Sequence, residues 1–378
     1  MISKSAIVLC FLFPAFAGDL VVHEWGTFTS VAGERGEPVS WASLSAPSDL
    51  PCFVYRLSAQ CVKCNATSLV RMETPVLYFY SPHPTTVSVH VDLPSGAITE
   101  WYPKASGPPR DVTYGRDGRI DWGPVQIVPG AAPDFLSDGS DSHYYPARNT
   151  DSVPLRVGNE QEKLLFYRGV ADQGVAIEAE FQPDGKLELR NAANTSLPFA
   201  VLFEKRAGKT GYRVLRDLDR WAAIDPPPLT ANIANLRREL ASALTEAGLY
   251  PKEAAAMIDT WRDSWFEEGM RVFYILPRNT VDETLPLKVT PAPAATVRVF
   301  VGRVEILSPG MKASLASALA TGDTATLERC GRFLAAFQPR IRNVVISPAA
   351  QAFIDSMRAQ NTNRVSPCKE PLSLPTNQ

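Results

Sequence analysis

Thr85-Thr86-Val87-Ser88-Val89-His90-Val91-Asp92-Leu93 alternates without a break. Val87, Val89, Val91 and Leu93 fall on one side, and Ser88, His90 and Asp92 on the other. Successive side chains of an extended chain point to opposite faces, so this stretch predicts a half-buried antiparallel strand. Pro94-Ser95-Gly96 then supplies turn residues, and residues 97–102 follow as a second strand, which predicts a hairpin. Outward from this pair, short runs at 21–31, 70–80, 120–128, 163–170, 175–181, 186–190 and 197–204 also read as strands. Asp117-Gly118 and Pro183-Asp184-Gly185 mark turns between them. A parallel α/β sheet needs helices between its strands, and none is predicted here. The region therefore reads as an antiparallel β-sandwich.

Pro226-Pro227-Pro228 ends that pattern. Thr230 is placed to cap a helix whose apolar stripe is Ile233, Leu236, Leu240 and Leu244, stopped by Gly248. Pro251 suits the first turn of the next helix, with stripe Ala254, Ile258, Trp261 and Trp265 as far as Gly269. The short link predicts a helical hairpin over about 229–269. Strands resume at 270–276 and 297–307, so the hairpin reads as an insertion in the β region, 18–308. Ser308-Pro309 is another cap signal, and helices are predicted near 311–320, 323–337 and 348–360. The expected fold class is α+β: an antiparallel β-sandwich core, an inserted helical hairpin, a helical C-terminal segment over 309–360, and a loosely ordered tail over 361–378.

The N-terminus indicates where the protein works. Lys4, the apolar run Ala6-Ile7-Val8-Leu9-Cys10-Phe11-Leu12-Phe13 and the small-x-small site Ala15-Phe16-Ala17 read as a secretory signal peptide over residues 1–17. The run is too short to span a bilayer, and bulky Leu9 before Cys10 argues against a lipid anchor. The expected location is secreted or periplasmic, with no transmembrane segment after cleavage. Lys and Arg number 38 against 40 Asp and Glu, with no basic block, which argues against nucleic acid as a partner. Thirty-two prolines in 378 residues imply many loops joining short elements.

Five cysteines follow the signal: Cys52, Cys61, Cys64, Cys330 and Cys368. An oxidising compartment favours pairing, but five cannot all pair within one chain. The expected arrangement joins Cys52 to Cys61 or Cys64, and Cys330 to Cys368. Cys61-Val62-Lys63-Cys64 also fits a redox pair or a zinc site, but it lacks a βαβ context and a second ligand pair.

Three stretches are distinctive: His23-Glu24-Trp25-Gly26-Thr27-Phe28-Thr29-Ser30, Arg71-Met72-Glu73-Thr74-Pro75-Val76-Leu77-Tyr78-Phe79-Tyr80, and Trp261-Arg262-Asp263-Ser264-Trp265-Phe266-Glu267-Glu268-Gly269. Together the chain resembles a family of uncharacterised secreted bacterial proteins. The resemblance spans most of the mature chain and implies an envelope or extracellular setting. It carries over no activity and no catalytic residue.

Candidate chemistry rests on four histidines and a few carboxylates. His90, on the polar face of its strand, and His83, between two prolines, read as solvated. His23 begins a strand beside Trp25, and His143 lies in the loop Ser140-Asp141-Ser142-His143-Tyr144-Tyr145-Pro146-Ala147-Arg148. Two histidines and a carboxylate can hold a divalent metal, with Glu24 or Glu73 as the third ligand. Adjacent strand residues point apart, however, so His23 and Glu24 share a site only across a bulge or a strand end. Glu267 and Glu268 crowd the expected end of a helix, where the dipole disfavours negative charge. Arg271, Arg278 or a ligand cation would compensate, and Glu73 or Asp263 would be the partner for acid–base hydrolysis. Trp261 and Trp265 read as core anchors, which leaves Trp101, Tyr102, Tyr144, Tyr145 and Arg148 as ligand-stacking candidates.

The leading expectation is non-enzymatic binding of a polar ligand such as a glycan or another envelope component. The alternatives are a metal-assisted or acid–base hydrolase using His23, His143 and a glutamate among Glu24, Glu73 and Glu268, and a purely structural envelope domain.

Overall fold

The computed structural model describes residues 18–44, 49–57, 67–107 and 117–362. The predicted signal peptide, Cys61, Cys64, Cys368 and the tail beyond residue 362 lie outside them. The strands of the first half are β1 (Val21–Val31), β2 (Tyr55–Arg56), β3 (Val70–Tyr80), β4 (Thr85–Leu93), β5 (Gly96–Tyr102), β6 (Gly118–Ile127), β7 (Leu155–Val157), β8 (Glu160–Glu162) and β9 (Leu165–Ala171). Next come β10 (Ile177–Phe181), β11 (Leu187–Asn191), β12 (Leu197–Arg206), β13 (Lys209–Leu218) and β14 (Trp221–Ile224). Helices α1 (Ile233–Glu246) and α2 (Pro251–Thr260) precede β15 (Gly269–Ile275), α3 (Arg278–Thr284), β16 (Leu287–Thr290) and β17 (Ala295–Ile306). The C-terminal segment holds α4 (Pro309–Thr321), α5 (Thr324–Arg329), α6 (Leu334–Phe337) and α7 (Pro348–Thr362). None of these helices is long and apolar enough to cross a membrane.

The fold class is α+β, as expected. A nine-stranded sheet runs β13-β12-β15-β17-β1-β3-β9-β5-β2, beside a five-stranded sheet β16-β4-β6-β7-β8 and a three-stranded sheet β10-β11-β14. One face of the large sheet shares an apolar core with the two smaller sheets, through residues such as Phe28, Phe79, Val89, Trp122 and Leu189. The other face carries two cores. Trp25, Tyr78, Phe166 and Phe273 pack under α1 and α2, and Trp41 and Leu307 pack with Leu315, Phe333 and Phe337 of the C-terminal segment.

Several expectations need correction. The large sheet is mixed, because β1 pairs with β17 in parallel, from Val21 opposite Ala295 to Val31 opposite Glu305. Nearly the whole chain separates these two strands, so no tight turn forces them to run in opposite directions. The expected hairpin of 85–93 with 97–102 does not form. β4 pairs with β6 and β16, and β5 pairs with β9 and β2. The Pro94-Ser95-Gly96 corner instead passes the chain from one sheet to the other, so that Val89 and Val91 face Ile98 and Trp101 across their common core. The edge strand β13 escapes sequence reading because Lys209, Arg213, Arg216 and Asp217 make it polar.

The second helix of the hairpin ends at Thr260, not at Gly269. Trp261 and Trp265 are buried as expected, but they sit on turns, with rings stacked at 6.5 Å. Arg271 supplies the reason. Its guanidinium donates to the carbonyls of Trp265, Glu267 and Glu268 at 2.9, 2.7 and 2.8 Å, so these carbonyls need no helical N–H. The helix expected over 323–337 breaks at Gly331, whose φ of 51° is left-handed. Cys330 is a buried, free thiol among the described residues, and Cys368, its expected partner, lies outside them. Cys52 is buried, and its expected partners lie outside the described residues.

A bulge in β3 decides which way Glu73 points. Two steps of β1, Trp25 to Thr27, face three steps of β3, Val76 to Glu73. Thr74 takes φ 49° there, strained for a β-branched residue. The side chains change face across it: Met72 and Leu77 lie in the same core although their numbers differ in parity. Glu73 is thereby set on the helix-covered face.

Close packing across β15 and β17 is testable. A Cβ on Gly302 would stand 2.1 Å from Tyr274 Cζ, and the Tyr274 hydroxyl is held by the Ala176 N–H at 3.2 Å. Gly302→Ala is expected to lower stability by about 1–3 kcal/mol through overpacking, read as a lower urea midpoint. Gly174→Ala, with nothing within 4 Å of its Cβ, should leave the midpoint in place or raise it slightly.

Candidate functional site

On the helix-covered face of the large sheet, a row of charged side chains crosses the strands between the two helix-covered cores. It begins with Arg271 on β15 and Arg303 and Glu305 on β17, each almost completely buried. Glu305 accepts from Arg271 Nε at 2.8 Å and from Arg303 Nη2 at 2.8 Å. Arg303 Nη2 also reaches Glu267 at 2.6 Å, and the Arg303 guanidinium lies 5.1 Å from the centre of the Phe333 ring. Thr29 on β1 comes next and donates to Glu73 Oε2 at 2.7 Å. Arg71 Nε lies 3.4 Å from the other Glu73 oxygen, which also pairs with Arg332. The row continues through Arg168 on β9, which donates to Asp49 at 2.9 Å. Burial alone would raise the Glu73 carboxyl, but Arg332 and Arg71 outweigh it and bring its pKa down to about 2. This is a locked carboxylate, unsuited to exchanging protons near neutrality.

The structure does not bring His23 and His143 together. His23 Nδ1 pairs with Glu253 Oε2 at 2.8 Å near the start of α2, where Tyr80 donates to the other Glu253 oxygen at 2.8 Å. His143 bridges Asp49 at 2.9 Å and Asp263 at 3.1 Å, beyond the far end of α2. The hydrogen bond to Asp49 raises the His143 pKa, burial opposes it, and Asp263 adds to it. Glu24 points to the opposite face from His23, accepting from Tyr167 and from Arg298 Nε at 2.5 Å each. The bulge that would have been needed to reunite them lies further along, on β3. Among the described residues no group of three or more His, Cys, Asp or Glu is placed to hold a metal. Glu268 accepts the N–H groups of Ala207 and Gly208 at 2.9 Å each, closing the β12–β13 turn. It lines a cavity of about 450 Å³ that Cys330 also borders, where burial pushes the thiol up to about 11.

Tyr102, Tyr144, Tyr145 and Arg148 of the expected stacking residues do gather, but inside the protein. Tyr102, Tyr144 and Trp101 are at most 2% exposed. Phe53 links the two tyrosines, with its ring 4.9 Å from Tyr102 and 5.7 Å from Tyr144, whereas Trp101 lies in the core on the other face of the sheet. Arg148 lies over Tyr144 and Tyr145 at 5.3 and 5.1 Å and donates to Glu162 at 2.6 Å. Rings packed edge to face in this way anchor the 141–148 loop, and their faces are not open to a sugar. The row was legible only in part. Arg303 and Glu305 interrupt an otherwise apolar strand, and Arg168 is the one charge in Leu165–Ala171, a signal that could have marked all three, whereas Asp49 and Glu253 lie in segments with no such contrast.

The open site lies elsewhere, on the polar side of the very strand that announces the fold. A groove of about 660 Å³ runs over β4, β6 and β16. Register sets Lys288, His90 and Asp121 side by side on three neighbouring strands. His90 Nδ1 bonds Asp121 at 2.7 Å and Nε2 bonds Asp92 at 2.9 Å. Burial lowers the His90 pKa, but the bonds to Asp121 and Asp92 prevail and raise it. Ser88 and Ser106 add hydroxyls to the same walls. His90 is partly exposed to solvent, as expected, and is also held by two carboxylates; Ser106, whose N–H donates to the Asp121 carbonyl at 2.7 Å, and residues 286–290 flank it and make the open strand face concave.

No protein-family model matches the chain, and comparison with curated proteins gives no match.

Glu73→Gln should remove a buried charge and leave Arg332 and Arg71 without their partner, at a cost of about 3–5 kcal/mol in a denaturant titration. The folded pKa of about 2 lies below the ordinary value of 4.5. The ionised Glu73 therefore contributes its stability above pH 4.5 and loses it as pH falls toward 2. Acid titration should show a smaller stability loss for Glu73→Gln than for the native chain across that window.

Proposed function

We propose that this is a secreted, non-enzymatic binding protein that takes a hydroxyl-rich ligand, a glycan, in the groove over β4, β6 and β16. The observation that carries this reading is the wall chemistry of the groove. Asp92 and Asp121 offer carboxylate acceptors, Lys288 offers a donor, and Ser88 and Ser106 serve as either. With His90 protonated, two positive groups balance two negative ones, which suits an uncharged polyol better than an ion. A concave site with convergent polar groups is the form small-ligand sites take.

The histidines argue against hydrolysis as the first reading. His90 and His143 each have both ring nitrogens engaged by carboxylates, so neither offers a free base. A purely structural role leaves the groove unexplained. The secretory signal and the resemblance to secreted bacterial proteins favour a ligand of the envelope or the cell exterior. In the same reading, the smaller sheets over the large one form a sandwich, with the groove on its outer surface.

Calorimetric titration of the mature protein with a panel of neutral envelope oligosaccharides tests this. At least one should bind saturably, and Asp121→Asn and Lys288→Ala should each weaken it by about tenfold, the worth of one good hydrogen bond to a charged group. Absence of saturable binding, or affinity unchanged in both variants, would refute the reading. A second outcome concerns His90. Its folded pKa is raised above the ordinary 6.5, so its stabilising contribution is complete below that value and is lost as pH rises through the raised one. The melting-temperature gap between the native chain and His90→Gln should therefore narrow on moving from acid to alkaline buffer.

A further inference from the structure

The charged row holds an imbalance. Arg71, Arg168, Arg271, Arg303 and Arg332 face Asp49, Glu73, Glu267 and Glu305, one guanidinium more than carboxylates. Adding Arg56 with Glu100, or Asp263 with His143 in its protonated form, leaves the surplus unchanged. Buried charge is normally paired, so the excess calls for a negative partner.

An independent observation lies beside it. Arg303 is fully buried, yet its Nη1 has no hydrogen-bond partner. Thr27 Oγ1, Ser264 Oγ and Trp265 Nε1 are likewise buried and unpartnered. All four can donate, and no carboxylate or amide oxygen stands among the unpartnered buried side-chain atoms of the described residues.

Strand register and the contacts of the 261–268 turn set these groups on the same face of the large sheet, around Arg303. Register sets Arg303 beside Thr29, so Thr27 lies one strand over and two residues along on the same face, roughly 8 Å away by strand spacing and rise. The turn that carries Ser264 and Trp265 closes directly over Arg303. Glu267 meets Arg303 Nη2 at 2.6 Å, and the Trp265 carbonyl meets Arg271 Nη1 at 2.9 Å.

We propose that the space between Arg303 and the Trp261–Glu268 turn is a second binding site, for a small oxyanion: sulfate, phosphate or a carboxylate head. The anion takes Nη1 of Arg303 as its charged partner. The hydroxyls of Thr27 and Ser264 and the Trp265 indole supply neutral donors around it, as an enclosed oxyanion requires. The turn covers the site, and two bridges fasten it: His143 to Asp263 at 3.1 Å and Arg262 to Asp141 at 2.9 Å. The site lies on the opposite side of the large sheet from the glycan groove and does not depend on it.

The test is calorimetric titration of the full mature chain with sodium sulfate, sodium phosphate and sodium acetate at matched ionic strength. At least one should bind saturably with one anion per chain. Thr27→Val and Ser264→Ala each remove one neutral donor and keep the charges, and each should weaken binding about tenfold. Oligosaccharide binding in the groove should not move in either variant. If Thr27→Val does not fold, Ser264→Ala, on a half-buried turn, decides alone. No saturable binding of any of the three anions, as expected if ordered water satisfies the four donors, overturns the proposal. So does affinity unchanged in the folded variants.

Discussion

The buried row of guanidinium and carboxylate groups is the constraint on which the helix-covered side of this protein depends. Glu305 is shared between Arg271 and Arg303, and these two arginines then reach outward to Glu267 and to the carbonyls of the 265–268 turn. Through Glu73 the same row takes hold of Arg332, and through Arg168 it takes hold of Asp49. Segments far apart in sequence are thus fixed to one line across the sheet. Such a line favours one register. A strand shifted by one residue would turn its charge into an apolar core, at a cost far above that of losing a surface ion pair.

The row also explains why two apolar cores lie side by side on one sheet face. The helical hairpin covers the end of the sheet around Phe273 and Tyr78, and the C-terminal helices cover the end around Trp41 and Leu307. Between them the sheet surface is polar, and only loops and turns close it. The distinctive stretches of sequence meet here. Thr29, Glu73 and Glu267 come one from each, which accounts physically for polar residues set inside otherwise apolar runs. Their partners are one another and the arginines of the row, and this removes the carboxylates from acid–base chemistry.

The outer groove obeys a different logic. Its polar side chains lie on an exposed strand face, held by a sheet whose other face is thoroughly apolar. His90, Asp92 and Asp121 bond to each other without burying themselves, so their geometry is set while solvent keeps access. In the proposed reading, a rigid strand scaffold with polar groups on its open face separates the work of folding from that of recognition. The two faces of β4 carry these two tasks in alternate residues.

Alternation and apolar runs determined most of the strands, the α+β class, the helical hairpin and the burial of Trp261 and Trp265, because these depend on periods within a few residues of chain. The sequence also signalled that Glu267 and Glu268 needed compensation; Arg303 provides it for Glu267, and the Ala207 and Gly208 N–H groups provide it for Glu268. Tertiary structure alone decided the parallel pairing of β1 with β17, the passage of the chain between sheets at Gly96 and the early end of α2. It also decided the separation of His23 from His143 and the burial of Tyr102 and Tyr144. Each of these turns on which distant segment supplies a partner: a strand edge, a guanidinium for an unpaired carbonyl, or a second aromatic ring. Local sequence states what a residue needs, and only the packed chain determines where that need is met.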